Sequence, residues 1–92
     1  MIVRIATEGQ YKIAEGDVER LNDLDDEAAA SCAAENEERF RDVFAALLDF
    51  VRTTGHPVAE DYLGGSDIIL PPPDISLEEA KATFHGEGLI PN

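Results

Sequence analysis

The sequence predicts a small α+β domain, a short sheet packed on a helical hairpin, with its elements in the order β-β-α-α-β-α. Three observations predict it. Apolar β-branched residues alternate with polar ones at the start of the chain. Two longer stretches carry apolar residues at intervals of three and four. A short apolar run, Ile68-Ile69-Leu70, is stopped by three prolines ahead of a helix-opening serine.

Ile2, Val3 and Ile5, with Arg4 between, have strand chemistry, Val3 and Ile5 sharing one face. Glu8-Gly9-Gln10 is the expected reversal, because Gly9 tolerates positive φ, and Tyr11-Lys12-Ile13 returns as a second strand. Asp17 is the expected N-cap of the first helix, whose stripe is Val18, Leu21, Leu24, Ala28 and Cys32. Ala28, Ala29 and Ala30 favour helix and leave a thin surface that a neighbouring helix can approach closely. Asn36 caps the second helix, with Glu37 and Glu38 in its first turn. Phe40, Val43, Phe44, Leu47, Leu48 and Val51 form the strongest periodic signal in the chain. Gly55 is the expected C-terminal stop, and Pro57 prevents continuation. The short link makes the two helices an antiparallel hairpin. Gly64-Gly65-Ser66 breaks the next segment. Ile68-Ile69-Leu70 reads as a third strand, buried on both faces or covered by the helices. Ser76-Leu77-Glu78-Glu79 is a capping box opening a helix through about Phe84, which Gly86 and Gly88 stop.

The chain has 92 residues, 43% of them hydrophobic, so residues 1–92 make one domain with a modest core. Its 20 acidic and 7 basic residues give a net charge of −13, spread evenly over both halves. Most nucleic-acid binding is ruled out on this ground, since a phosphate backbone needs Lys and Arg to neutralise it, and no nucleic-acid partner is expected. Unaided adhesion to an anionic membrane is disfavoured for the same reason, leaving membrane contact to a partner. One cysteine precludes an internal disulfide and fits a reducing compartment. No apolar run approaches membrane-spanning length, and the first five residues are too short for a signal peptide, so the expected localisation is cytoplasmic.

No catalytic constellation emerges. His56 precedes Pro57 in a loop, and His85 suits the end of the last helix, where a cation meets the dipole. C-x-x-C, H-x-x-x-H and H-E-x-x-H are all missing, so no metal is expected. Asp23-Leu24-Asp25-Asp26-Glu27 lacks the glycine and distal glutamate of an EF-hand loop and falls on a helix, where adjacent carboxylates diverge. Cys32 lies on the apolar stripe and reads as a small core residue. Gly64-Gly65-Ser66 is followed by no lysine and is no phosphate loop. The expectation is a non-enzyme with no cofactor.

Several stretches together carry a family likeness. The opening Met1-Ile2-Val3-Arg4-Ile5-Ala6-Thr7-Glu8-Gly9-Gln10-Tyr11, then Ser66-Asp67-Ile68-Ile69-Leu70-Pro71-Pro72, then Ser76-Leu77-Glu78-Glu79-Ala80, and the closing Gly86-Glu87-Gly88-Leu89-Ile90-Pro91 follow one another in an order and spacing that resembles the PspA-associated domain family, PspAA. The likeness covers essentially the whole chain. It implies a small accessory domain of the envelope-stress system built on phage-shock protein A, itself a long helical, membrane-associated protein. It implies an adaptor rather than an enzyme and brings no catalytic residues with it.

Three functions of different classes follow. The first is an interaction module for a helical partner, phage-shock protein A or another stress protein. Its surface would be the acidic face of the first helix, Glu19, Asp23, Asp26 and Glu27, with Leu89 and Ile90 as an apolar anchor. The second is an acidic inhibitor or nucleic-acid mimic that blocks a basic surface by charge alone. The third is a small ligand-binding domain with a pocket between His56 and Ser66, near Asp61 and Tyr62. A homodimer is compatible with the alanine-rich first helix.

Overall fold

A computed structural model describes residues 1–59 and 65–83. Strands β1 (Ile2–Ile5) and β2 (Gly9–Lys12) form an antiparallel hairpin. Helices α1 (Glu15–Ala33) and α2 (Glu37–Thr54) follow, then β3 (His56–Pro57), β4 (Ile68–Leu70) and α3 (Leu77–Thr83). The sheet order is β3-β2-β1-β4, with β4 parallel to β1 and the other pairings antiparallel. The α+β class and the succession of elements are as the sequence predicts, with one two-residue strand, β3, added. His56 therefore lies on a strand, opposite Lys12, rather than in a loop.

The hairpin turns earlier than Gly9. Ile2 pairs with Lys12 and Ile5 with Gly9, so the reversal is centred on Thr7, which takes the left-handed conformation at φ 72°. A reversal centred on Gly9 would set Ile2 and Val3 opposite Gly16 and Glu15, which are already helical. Centring on Thr7 uses all of β1, and Met1 O accepts from Ile13 N at 2.8 Å beyond it. Val3 and Ile5 thereby face inward with Tyr11 and Ile13, while Arg4 faces out.

The expected cap of α1 is also corrected. Ala14, in extended conformation, is the N-cap, and no side chain caps it; Asp17 sits in the first turn and its amide donates to Ala14 O at 3.0 Å. Ile13 is buried, so the chain turns into the helix directly from the strand. Glu15 and Asp17 still meet the positive end of the helix dipole. Leu21, Leu24, Ala28 and Cys32 are buried as expected, and Val18 packs half-buried beside them.

The link between α1 and α2 is Ala34-Glu35-Asn36. Asn36 N donates to Ser31 O and Glu35 N to Cys32 O, both at 3.0 Å, which is the paired bonding of a Schellman end. The residue that takes the left-handed conformation is Glu35, at φ 57°, where glycine is the usual occupant. A Cβ there is strained. Glu35→Gly is therefore expected to raise the thermal midpoint by about 3–6 °C, read by circular dichroism, even though it removes the exposed Glu35–Lys81 pair.

Asn36 then caps α2, its Oδ1 accepting from Arg39 N at 3.2 Å. All six residues of the α2 stripe are buried, at 0–5% exposure, and the Phe40 and Phe44 rings stack at 5.4 Å. They form one core with Val3, Ile5, Ile68 and Leu70 from the sheet. Gly55 ends the helix, but in extended conformation, φ −76°, rather than left-handed. β4 is not buried on both faces: Ile68 and Leu70 point inward and Ile69 is 61% exposed. Beyond Pro71, Ile75 N donates to Pro72 O at 3.2 Å in a tight turn. The capping box of α3 is present, with Ser76 Oγ accepting from Glu79 N at 3.2 Å and Glu79 Oε1 accepting from Ser76 N at 3.4 Å. Phe84 and the glycine stop lie outside the described residues.

Candidate interaction surfaces

On α1, spacings of three and four place Glu19, Asp23, Asp26 and Glu27 along one side of the helix. Glu19, Asp23 and Glu27 are exposed, and Asp26 is half-buried. Glu27 accepts from Arg39 Nη2 at 3.4 Å, an exposed contact between α1 and the first turn of α2. Three of the four carboxylates are thus exposed along one side of α1, and one of these, Glu27, is partly spent on an arginine. Leu89 and Ile90 lie outside the described residues. Asp25, in the same acidic run, is fully buried at 0% exposure, because position 25 falls one turn after Leu21 on the core side. Adjacent carboxylates in this helical run point in different directions. Among the described residues, no group of three or more His, Cys, Asp or Glu converges as a metal site.

Cys32 is 1% exposed, and burial pushes its thiol pKa up, with Lys81 acting weakly in the opposite sense. Cys32 is thus part of the core, as its place on the apolar stripe of α1 suggests.

A cleft of about 130 Å³ lies between α2 and the turn after β4, floored by Phe40, Phe44 and Leu48 and walled by Arg52, Pro73 and Ile75. It falls short of the few hundred Å³ that a small-molecule site needs. The stripe side chains on its floor are themselves at most 3% exposed, so the groove is shallow. The pocket expected between His56 and Ser66 involves Asp61 and Tyr62, which lie outside the described residues. Ser66, at its far end, accepts from Gln10 Nε2 at 2.7 Å.

Four cations near these surfaces, Arg39, Arg41, Arg52 and Lys81, are held in ion pairs. Arg52 reaches Glu8 through two bonds, at 2.9 and 2.5 Å, and Asp49 through a third at 3.0 Å. This joins the β1–β2 turn to α2 across 44 positions, and no sequence signal announced it. Hydrogen bonding to the Arg52 guanidinium holds the Glu8 carboxyl below its ordinary range, while burial opposes the shift. A carboxyl whose pKa is lowered by folding stabilises the fold above its unfolded value and loses that contribution as pH falls through the folded one. The stability difference between the wild type and Glu8→Gln, of order 1 kcal/mol for a pair about a third exposed, is therefore expected to be constant above neutral pH and to close as the pH falls below 4.5. Urea titrations of both proteins across that range check it. Lys81 Nζ meets Glu35 at 2.6 Å, tying α3 to the α1–α2 link; that hydrogen bond raises the lysine pKa and lowers the carboxyl's.

No helix among the described residues is long and apolar enough to cross a membrane. The family model described as PspA-Associated protein matches residues 1–92, the entire chain, which therefore belongs to that family. Comparison with curated proteins finds no match, and neither does comparison with solved structures.

Proposed function

We propose that this member of the PspA-associated family is a non-enzymatic adaptor that binds PspA, phage-shock protein A, in the envelope stress response. The family description names an association rather than a reaction. The observation that carries the surface is the alignment of Glu19, Asp23 and Glu27 on the solvent side of α1, with Asp26 half-buried beside them, a row of carboxylates suited to a basic stretch of a helical partner. Leu89 and Ile90 would supply an apolar anchor beside it. The adaptor works in the cytoplasm, takes no cofactor, reaches the membrane only through its partner and leaves room for a homodimer. Affinity capture of the tagged chain from a native lysate is expected to recover PspA. Capture that repeatedly recovers other proteins and no PspA would refute the reading.

A second reading has support in the net charge of −13. The chain could act as an acidic inhibitor or nucleic-acid mimic, holding a basic surface by charge alone. Charge-only binding collapses between about 50 and 200 mM salt as the Debye length shortens. An apolar-anchored adaptor loses far less, so a titration at two ionic strengths separates the two.

A further inference from the structure

We propose that α3 is a displaceable latch on the end of α1 and, resting on the docking role given to the acidic row of α1, that a basic amphipathic helix gripping the row releases it. Among the described residues α3 packs chiefly on α1. It is seven residues long, too short to persist without a neighbour. Ala80 is its one buried residue, and Leu77 packs half-buried on the core. By contrast α1 buries seven residues and α2 six. So small a buried face puts α3 at the low end of local stability, where a segment opens while the rest of the fold stays intact. Ile75, 7% exposed, holds the chain to the core just ahead of it, so the opening unit starts at Ser76.

The latch closes on the C-terminal end of α1. Lys81 Nζ donates to Glu35 Oε1 at 2.6 Å in the α1–α2 link. The same ammonium is near enough to Cys32 for its charge to act on the thiol. Cys32 is 1% exposed in this closed arrangement. Along α3, apolar Leu77 and Ala80 stand one turn apart, and Lys81 follows them. A lysine beside an apolar row is a short version of the helix that the acidic row of α1 would attract.

The row itself leads to the latch. Glu19, Asp23 and Glu27 run along α1 toward the link, where Glu35 continues the negative charge. Glu35 is held there by Lys81, and both side chains of the pair are largely in water. Basic side chains of a helix laid along the row compete with Lys81 for Glu35, and an exposed pair resists such exchange weakly. Its loss removes the one ion pair that ties α3 to the rest of the described residues. α3 then lifts, and the Cys32 thiol meets solvent.

The thiol distinguishes opening from reaction in place. In the closed protein the Lys81 charge favours the thiolate, so a reagent that reached Cys32 there would react more slowly once Lys81 was removed. A reaction that runs through the opened state would go faster.

The test follows alkylation of Cys32 by iodoacetamide in the full chain, read by mass spectrometry at about 0.15 M salt. The probe is a cysteine-free helical peptide of leucine and lysine, its binding read by fluorescence anisotropy. The wild-type rate is expected to rise with urea far less steeply than global unfolding followed by circular dichroism. Lys81→Gln should react about two- to fivefold faster. Ala80→Asp, whose carboxylate cannot be buried in the closed position, should react about tenfold faster or more while the rest of the fold is kept. Saturating peptide should raise the wild-type rate by about twofold or more and leave that of Ala80→Asp unchanged. If Ala80→Asp fails to fold, the wild-type urea slope and Lys81→Gln decide. A urea slope equal to that of global unfolding, slower reaction of Lys81→Gln, or a bound peptide that leaves the wild-type rate unchanged or lowers it would overturn the proposal. A peptide that does not bind removes the docking role of the row and the release step with it, whereas the urea slope and Lys81→Gln still decide the latch.

Discussion

Phe40→Ala is expected to lower the free energy of unfolding by about 3–5 kcal/mol. Phe40 is 1% exposed at the start of the α2 stripe, and its ring stacks on Phe44 at an interplanar angle of 10°. Alanine removes the transfer energy of a whole ring and the stacking gain with it. The void lies beside the shallow cleft walled by Pro73 and Ile75, so the neighbours have little to fill it with. A domain of 92 residues has a total stability on the order of 5–14 kcal/mol, so this single change removes a large share of it. Urea unfolding followed by far-ultraviolet circular dichroism measures the loss. A change under about 1 kcal/mol would mean that Phe40 is not packed as described.

Gly55→Ala is expected to destabilise by about 1–3 kcal/mol, although nothing in the backbone conformation forbids alanine. At φ −76° any residue is comfortable, and alanine would even restrict the unfolded chain. The obstacle is space. A Cβ at position 55 would stand 2.6 Å from Val51 O and 2.9 Å from both Ile13 Cδ1 and Tyr11 Cβ. The first of these is backbone and the last is anchored to a strand, so neither yields cheaply. Gly55 is where the end of α2 presses on β2, and its lack of a side chain lets β3 pair with that strand. Gly9→Ala is the instructive contrast, because its site is open and its cost comes from φ 137° alone.

What the sequence made legible was what repeats. The α2 stripe follows the 3.6-residue period from Phe40 to Val51, and all six of its members are in the core. The Ser76–Glu79 box and the Asn36 cap are local patterns, and each forms as read. What stayed hidden depends on distant neighbours. β3 is two exposed residues, His56 and Pro57, paired only because α2 delivers them beside Tyr11 and Lys12. Gly55 ends α2 as read, but in extended conformation, and no sequence signal showed that its missing side chain would let the helix end press on β2. Ile68-Ile69-Leu70 was uniformly apolar, so nothing in it said that β4 would lie at the sheet edge with one face in water. Ala14 caps α1 in place of Asp17 because the buried Ile13 fixes where the strand ends.

The same division runs through the candidate surfaces. The acidic row on α1 could be read from spacing, whereas the burial of Asp25 within it could not. Arg52 offered no clue that it would reach back to Glu8.

The most direct test of the adaptor reading is a calorimetric titration of the purified chain with purified PspA at about 0.15 M salt, repeated with Glu19→Lys combined with Asp23→Lys. A saturable complex for the wild type, weakened by about tenfold or more in the charge-reversed protein whose circular dichroism is unchanged, is the predicted result. No heat of binding from the wild type, in a preparation shown to be folded, would contradict it.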